Sequence, residues 1–168
     1  MRVTIVPNTG VLQIDDARII HKNFQGRQSK YNRKGEMNFS VVIPDEELAQ
    51  LLLNQVNQFG KSWNVHIKPP REEGEEPFRY LPVKVSFNGR GPRVYLRAGK
   101  ARRILNEDTI GILDDMDIDH VDLDIRPYDG DGAGLSGPFR SAYLSSMEVY
   151  QNLDRFEARY AEEEHPEE

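Results

Sequence analysis

Alternating apolar and polar residues run through most of the chain, which is the pattern of β-strands with one buried face. The clearest run is Met37–Ile43, where positions 37, 39, 41 and 43 are apolar. Comparable runs lie in an opening β region that is broken at Pro7–Gly10, and at Trp63–Ile67, Phe78–Phe87, Arg93–Arg97, Asp117–Ile125 and Ala142–Val149. The Asn88–Gly89 pair between two of these runs predicts a β-hairpin. The whole pattern predicts about seven strands.

Helical spacing is clear in one place, directly after Pro44. Asp45, Glu46 and Glu47 complement the positive end of a helix dipole and predict the helix start. Apolar residues then recur at helical spacing up to Gly60, which suits a helix end; they are Leu48, Leu51, Leu52, Val56 and Phe59. For Ala101–Leu113 a short helix and an irregular turn both remain open.

Short strands with one mid-chain helix fit a small closed or partly closed barrel. A β-sandwich with an extra helix is the structural alternative. At 168 residues the chain suits one domain with a real core. We therefore expect a mainly β, OB-fold-like small barrel with extended strands over residues 1–153, followed by a flexible acidic C-terminal tail over residues 154–168.

Several classes of protein are disfavoured by what the sequence lacks. It has no cysteine, so a disulfide framework or a Cys-based zinc site is excluded. No apolar run approaches the roughly 18 residues of a membrane span, and the first ten residues do not form a signal peptide. There is no phosphate-binding glycine motif and no ligand spacing among the histidines. We expect an intracellular protein without a cofactor.

The distribution of charge matters more than the net charge of −6. The stretch from Ala17 to Gly35 carries six cations and no acid, and Pro77–Asn106 carries eight cations and no acid. In contrast, Glu107–Asp131 holds ten acids and one base, and the segment from Asp154 onward holds seven acids and two bases. Two basic blocks are therefore hidden in an acidic protein.

Aromatic residues are interleaved with the cations of both blocks, a mixture that suits single-stranded nucleic acid, because cations follow phosphates and aromatic faces stack on unpaired bases. Tyr31, in a polar loop with little core to enter, is the best stacking candidate, followed by Phe24 and Tyr95. Trp63 is expected in the core. The full set of candidate DNA-binding residues is Arg18, Lys22, Phe24, Arg27, Lys30, Tyr31, Arg33, Lys34, Arg79, Tyr80, Lys84, Arg90, Arg93, Tyr95, Arg97, Lys100, Arg102 and Arg103.

Two other functions remain open. The carboxylates between Asp114 and Asp124 could hold metal ions in a nuclease or resolvase, with Asp122 and Asp124 on one strand face. An outward row of carboxylates is, however, a common way to keep a strand soluble. The chain could also be an interaction module that binds no nucleic acid. No arrangement of residues makes a positive case for catalysis, and the chain is not expected to be an enzyme.

The basic, aromatic β body and the acidic end EARYAEEEHPEE together resemble phage-encoded single-stranded-DNA-binding proteins of the OB-fold type. The likeness rests on IIHKNFQGRQSKYNRKGEMNFSVVIP, the helix after it, FRYLPVKVSF and SSMEVYQN. It implies sequence-tolerant coating of DNA during phage replication, recombination or repair in the cytoplasm of a bacterial host. It also implies that the acidic tail recruits replication or recombination proteins and competes with DNA, while a homodimer stays open. A merely solubilising tail is the alternative.

Overall fold

The computed structural model describes residues 1–129 and 138–153. The predicted flexible loop DGDGAGLSGP, except for its two ends, and the predicted acidic tail lie outside these residues. Eleven strands occur in the described part: β1 (Arg2–Ile5), β2 (Leu12–Ala17), β3 (Ile19–Asn23), β4 (Met37–Ile43), β5 (Ser62–Trp63), β6 (His66–Lys68), β7 (Phe78–Val85), β8 (Arg93–Ala98), β9 (Ala101–Leu105), β10 (Ile118–Tyr128) and β11 (Phe139–Gln151). One α-helix, α1 (Glu46–Leu53), and a 3₁₀ helix (Ile110–Asp115) complete it.

The main sheet follows the order β1-β2-β10-β11-β7-β4-β3. Its neighbours are antiparallel except for β11 and β7, which run parallel at Tyr143 and Lys84. The path is not closed by hydrogen bonds. However, β2 and β3 are two halves of one run joined at Arg18, and they pair with β10 and β4 respectively. The sheet therefore wraps around the core. The prediction of a mainly β, OB-fold-like domain is confirmed, with a sheet that hydrogen bonds do not close.

The core fills the inside of this sheet. Its largest fully buried side chains are Trp63, Phe24 and Phe39, and the rings of Phe24 and Phe39 stack at 5.2 Å. Alternation along β4 and β10 places Val41 and Val121 inside, as the sequence predicts. The predicted burial of Trp63 is also confirmed.

The helix begins where the sequence predicts, because Asp45 caps it by accepting a 2.8 Å hydrogen bond from the backbone N–H of Leu48. It ends at Leu53, well before Gly60. Val56 and Phe59 lie outside the helix and are exposed. The helical spacing of these two residues was therefore misleading.

The predicted hairpin between β7 and β8 is wrong. Both edges of β7 are already paired, with β4 on one side and with β6 and β11 on the other. Strand β8 instead runs parallel to β11 and forms an antiparallel hairpin with β9. The turn of that hairpin is Gly99–Lys100, with Gly99 at φ 63°.

Two further predictions need correction. The region Ala101–Leu113 is neither one short helix nor an irregular turn, since it contains β9 and most of the 3₁₀ helix. The predicted strand Trp63–Ile67 is interrupted at Asn64–Val65, so that β5 pairs with β11 and β6 pairs with β7. In the part of the chain that is described, no helix is long and apolar enough to cross a membrane.

Candidate nucleic-acid interface

The loop between β3 and β4 carries the first basic block and is held together by Asn32. The side-chain amide of Asn32 donates to the carbonyls of Arg27, Arg33 and Glu36 at 3.1, 3.2 and 2.7 Å, and its oxygen accepts a hydrogen bond from Asn38. One half-buried amide thus ties several turns of the loop together. The loop is an ordered platform for its cations.

Tyr31 stands out from this platform, with 87% of its surface exposed. Its backbone N–H donates to the Ser29 hydroxyl at 3.3 Å, and the Lys30 ammonium lies 5.6 Å from its ring centre. Arg27, Arg33 and Lys34 are exposed in the same loop. A free aromatic face among cations is what stacking on an unpaired base requires.

The 3₁₀ helix and the residue after it hold the chain that enters the basic loop from β3. The carboxylate of Asp114 accepts hydrogen bonds from the backbone N–H groups of Phe24 and Gln25 at 2.7 and 3.0 Å. The ammonium of Lys22 donates to the carbonyls of Leu113 and Met116 at 2.9 and 2.7 Å. The acidic block therefore positions the basic loop.

Two other carboxylates of the acidic block also make local contacts. Asp122 accepts from the backbone N–H of Asp16 at 2.8 Å, and Asp124 accepts from the Ser146 hydroxyl at 3.3 Å. Among the described residues, no three His, Asp or Glu side chains could together hold a metal ion.

A second cluster lies on the outward face of β7, β10 and β11. Lys84 and Arg126 both lie over the ring of Tyr143, with the ammonium 5.8 Å and the guanidinium carbon 4.8 Å from its centre. The ring of Tyr128 meets that of Tyr143 edge-on at 6.0 Å. We call Lys84, Arg126, Tyr128 and Tyr143 the tyrosine cluster; it offers two cations and two rings.

A cavity of about 340 Å³ joins the tyrosine cluster to the basic loop. It is lined by Gly35–Asn38 at the end of the loop, by Lys84–Ser86 and Asn88, and by Tyr143. Lys84 therefore belongs to both features. Gly35, the last residue of the first basic block, and Lys84, in the second, both line this cavity, although they are 49 positions apart.

A third group of rings surrounds Tyr80 further along the outward face of β7. Tyr80 contacts His21 and His66 at centroid distances of 4.9 and 5.0 Å, and Phe78 at 5.8 Å. The ammonium of Lys68 lies 5.5 Å from the Tyr80 ring centre. We call His21, His66, Lys68 and Tyr80 the histidine cluster.

The other predicted cations lie on or near the β8–β9 hairpin. The guanidinium of Arg102 covers one face of Tyr95 at 3.9 Å, and Arg97 forms an ion pair with Glu148. Burial raises the pKa of the nearby Tyr150, and Glu148 and Asp122 raise it further. Arg90, Arg93, Lys100 and Arg103 are exposed, as is Arg18 at the bend between β2 and β3. The hairpin therefore carries cations but borders an acidic surface.

The structure contradicts two of the predicted DNA contacts. Phe24 is fully buried against Phe39, so its ring faces the core and cannot stack on a base. Arg79 points inward from β7 and is 6% exposed. Lys22 is half-buried and its ammonium is bonded to two carbonyls, so it supports the loop instead.

Sequence reasoning missed several members of the two outward clusters. Tyr143, Tyr128 and Arg126 lie outside the basic blocks, and only the pairing of β11 with β10 and β7 brings them beside Lys84. His21 and His66 are 45 positions apart and meet through Tyr80. The alternation of β10 and β11 could have placed Arg126 and Tyr143 on the outward face.

A partly closed β-barrel with exposed rings beside cations defines the class of single-strand nucleic-acid-binding domains. The family described as "Putative phage ssDNA-binding domain" matches residues 4–168, and the chain belongs to this family of phage single-stranded-DNA-binding domains. The family and the fold are those of proteins that bind single-stranded DNA and are generally not enzymes.

Solved structures share this fold. The single-stranded DNA-binding protein from bacteriophage Enc34 has a TM-score of 0.51 at 16% identity, covering 93% of each chain. Its C-terminal truncation has a TM-score of 0.50 at 15% identity over 88% of each chain. The same protein in complex with single-stranded DNA has a TM-score of 0.46 at 14% identity, over 89% of this chain and 90% of that one. No curated protein sequence matches the chain significantly.

We predict that Asn32→Ala loosens the basic loop without unfolding the barrel. Loss of the amide leaves the carbonyls of Arg27, Arg33 and Glu36 without their common donor, at a cost of about 1–2 kcal/mol in the free energy of unfolding. Trypsin, which cuts after lysine and arginine, should then cleave the loop faster than in the native protein. Gln28→Ala, at an exposed position of the same loop, is the control. Equal cleavage rates in the two variants would contradict the role of Asn32.

Proposed function

We propose that one strand of DNA lies across the basic loop and the tyrosine cluster, and that this surface is the principal binding site. The observation that carries the proposal is the cavity that Lys84 and Tyr143 share with Gly35–Asn38. Through it, a strand that contacts the loop continues onto the outward face of β7 and β11 without crossing the acidic surface beside β8.

Phosphates and bases would be bound by different groups on this surface. Arg27, Lys30, Arg33 and Lys34 supply exposed charges beside the strand, and Lys84 and Arg126 supply two more. Tyr31 and Tyr143 supply the stacking faces. Because every base has a π-face and phosphates carry no sequence information, such a site tolerates any sequence.

The biological setting follows from the same chemistry. A sequence-tolerant single-strand binder suits DNA strands exposed during phage replication, recombination or repair, in the cytoplasm of the bacterial host. Binding without catalysis agrees with the structural use of Asp114, Asp122 and Asp124 described above. A nuclease would need carboxylates free to hold metal ions.

We predict that Tyr31→Ala and Tyr143→Ala each weaken binding of labelled oligo-dT by about 1–2 kcal/mol, or roughly 5- to 30-fold. Thermal unfolding should change little for Tyr31→Ala, because this side chain is 87% exposed. Fluorescence anisotropy gives the affinities.

Tyr31→Phe and Tyr143→Phe are the matched controls, because they keep the ring and remove only the hydroxyl. Both should retain near-native affinity. If the two alanine variants bind like the native protein while Tyr95→Ala does not, the strand lies on the hairpin and the proposed surface is wrong.

The acidic segment 154–168 supports a second part of the proposal, that it competes with DNA and recruits replication or recombination proteins. It holds seven acids and two bases, and a tethered segment has a high effective concentration at its own domain. A segment of carboxylates can occupy the positions of DNA phosphates at a basic surface. Self-association into a homodimer is compatible with this arrangement.

Truncation after Leu153 should therefore tighten oligo-dT binding, most strongly at low salt, where screening is weakest. Affinities of the full chain and the truncated chain at two salt concentrations provide the test. If the tail only improves solubility, the truncated chain should aggregate and should gain at most a weak, general electrostatic increase in affinity. An equal affinity of the two chains at low salt would contradict competition by the tail.

A further inference from the structure

The histidine cluster lies on the same outward face of β7 as the tyrosine cluster. Phe78, Tyr80, Pro82 and Lys84 alternate along this strand with the inward-facing residues Arg79, Leu81, Val83 and Val85. A cavity of about 250 Å³ beside Pro82 and Lys84 is also lined by Phe139 and Ser141. The outward row of β7 thus leads from Lys84 to Tyr80.

The backbone places His21 on this face in an unfavourable conformation. His21 has φ 52°, a conformation that non-glycine residues rarely adopt. The register between β3 and β4 also shifts between Ile20 and Asn23, as at a β-bulge. Bulges re-aim side chains, and unfavourable backbone conformations of this kind concentrate at functional sites. Packing of the core does not require this conformation, because His21 lies outside the core on the outward face.

The groups that face His21 are polar or cationic. They are the hydroxyl of Ser40 on β4, 3.3 Å from Nδ1, the ring of Tyr80 on β7, and His66 and Lys68 on β6. Burial lowers the pKa of His21 below its usual range, and Lys68 and His66 lower it further. None of these groups is a carboxylate, so in the part of the chain that the structure describes no counter-ion faces His21.

We propose that His21, His66 and Lys68 form a phosphate site around Tyr80, which binds a phosphodiester of the same DNA strand that occupies the tyrosine cluster. The inference rests on the proposed function and extends it with a second anchoring point. A phosphate placed there offsets the repulsion that a protonated imidazole meets from Lys68. Both imidazoles then become easier to protonate, so DNA binding takes up protons.

The direction of the pH dependence follows from this linkage. Because its pKa is lowered, His21 is neutral above neutral pH. As the pH falls, bound DNA favours the protonated imidazoles, and the affinity for single strands rises. Binding that depends only on lysine and arginine would not change over this range, since these residues stay protonated.

The test compares oligo-dT affinity at pH 7.5 and pH 5.5 at constant salt. We expect the native protein to bind more tightly at pH 5.5 than at pH 7.5. Each proton that DNA binding takes up raises the affinity by up to about tenfold for each pH unit over which that proton is taken up. His21→Asn and His66→Gln should each lose most of this gain. Asparagine is chosen at position 21 because it tolerates positive φ.

His120→Gln is the control, because His120 stacks on Tyr150 and binds Asp119 on another part of the sheet. This variant should keep the native pH response. Titration of the imidazole NMR signals gives an independent readout: oligo-dT should raise the pKa of His21 and His66 and leave that of His120 unchanged.

Two outcomes overturn the proposal and are distinguishable. If the native protein binds oligo-dT but His21→Asn and His66→Gln retain its full pH response, or if DNA leaves both imidazole pKa values unchanged, the phosphate site is wrong and the proposed function stands. If the native protein binds no oligo-dT at either pH, the proposed function itself fails, and this inference fails with it.

Discussion

The structure depends on one bent run of chain, Leu12–Asn23, whose first half pairs with β10 and whose second half pairs with β4. This double pairing brings the two ends of the sheet path together around the buried rings of Phe24, Phe39 and Trp63. It also places the end of β3 above the 3₁₀ helix, where Asp114 and Lys22 fix the entry into the basic loop. The same constraint thus closes the core and sets the position of the candidate site.

An acidic protein can bind DNA because its charges are separated in space as well as in sequence. Part of the acidic block lies under the basic loop and bonds its backbone, as Asp114 shows, instead of competing for the loop's cations. Other acids, such as Asp122 and Glu148, line the region around Tyr150. A strand attracted by local potential is therefore directed to the part of the outward face that carries Lys84 and Arg126, away from Asp122 and Glu148.

The sequence was informative where the cause is local. The cap at Asp45, the alternation of β4 and the exposure of Tyr31 in a polar loop all follow from near neighbours in the chain. Phe24 was misjudged because its environment is set by contact with Phe39 across two strands. The β8–β9 hairpin was missed for two reasons. Arg102 and Arg103 interrupt the alternation of apolar and polar residues in β9. The Asn88–Gly89 pair was also a stronger turn signal than Gly99–Lys100.

Long-range pairing explains what was missed at the site. Tyr143 becomes a candidate only when β11 lies parallel to β7 and brings it beside Lys84, and periodicity cannot show which strands become neighbours. His21 and His66 likewise meet only in the folded sheet. The types of element were therefore predictable, while the grouping of functional side chains required the topology.

The most direct test of the central claim is photo-crosslinking of an oligo-dT strand that contains 5-iododeoxyuridine, followed by identification of the linked peptides. Stacked aromatic side chains are the groups that such a base reaches. The proposed surface predicts crosslinks at Tyr31 in the basic loop and at Tyr143 on β11. Crosslinks confined to Tyr95 on the β8–β9 hairpin would contradict it.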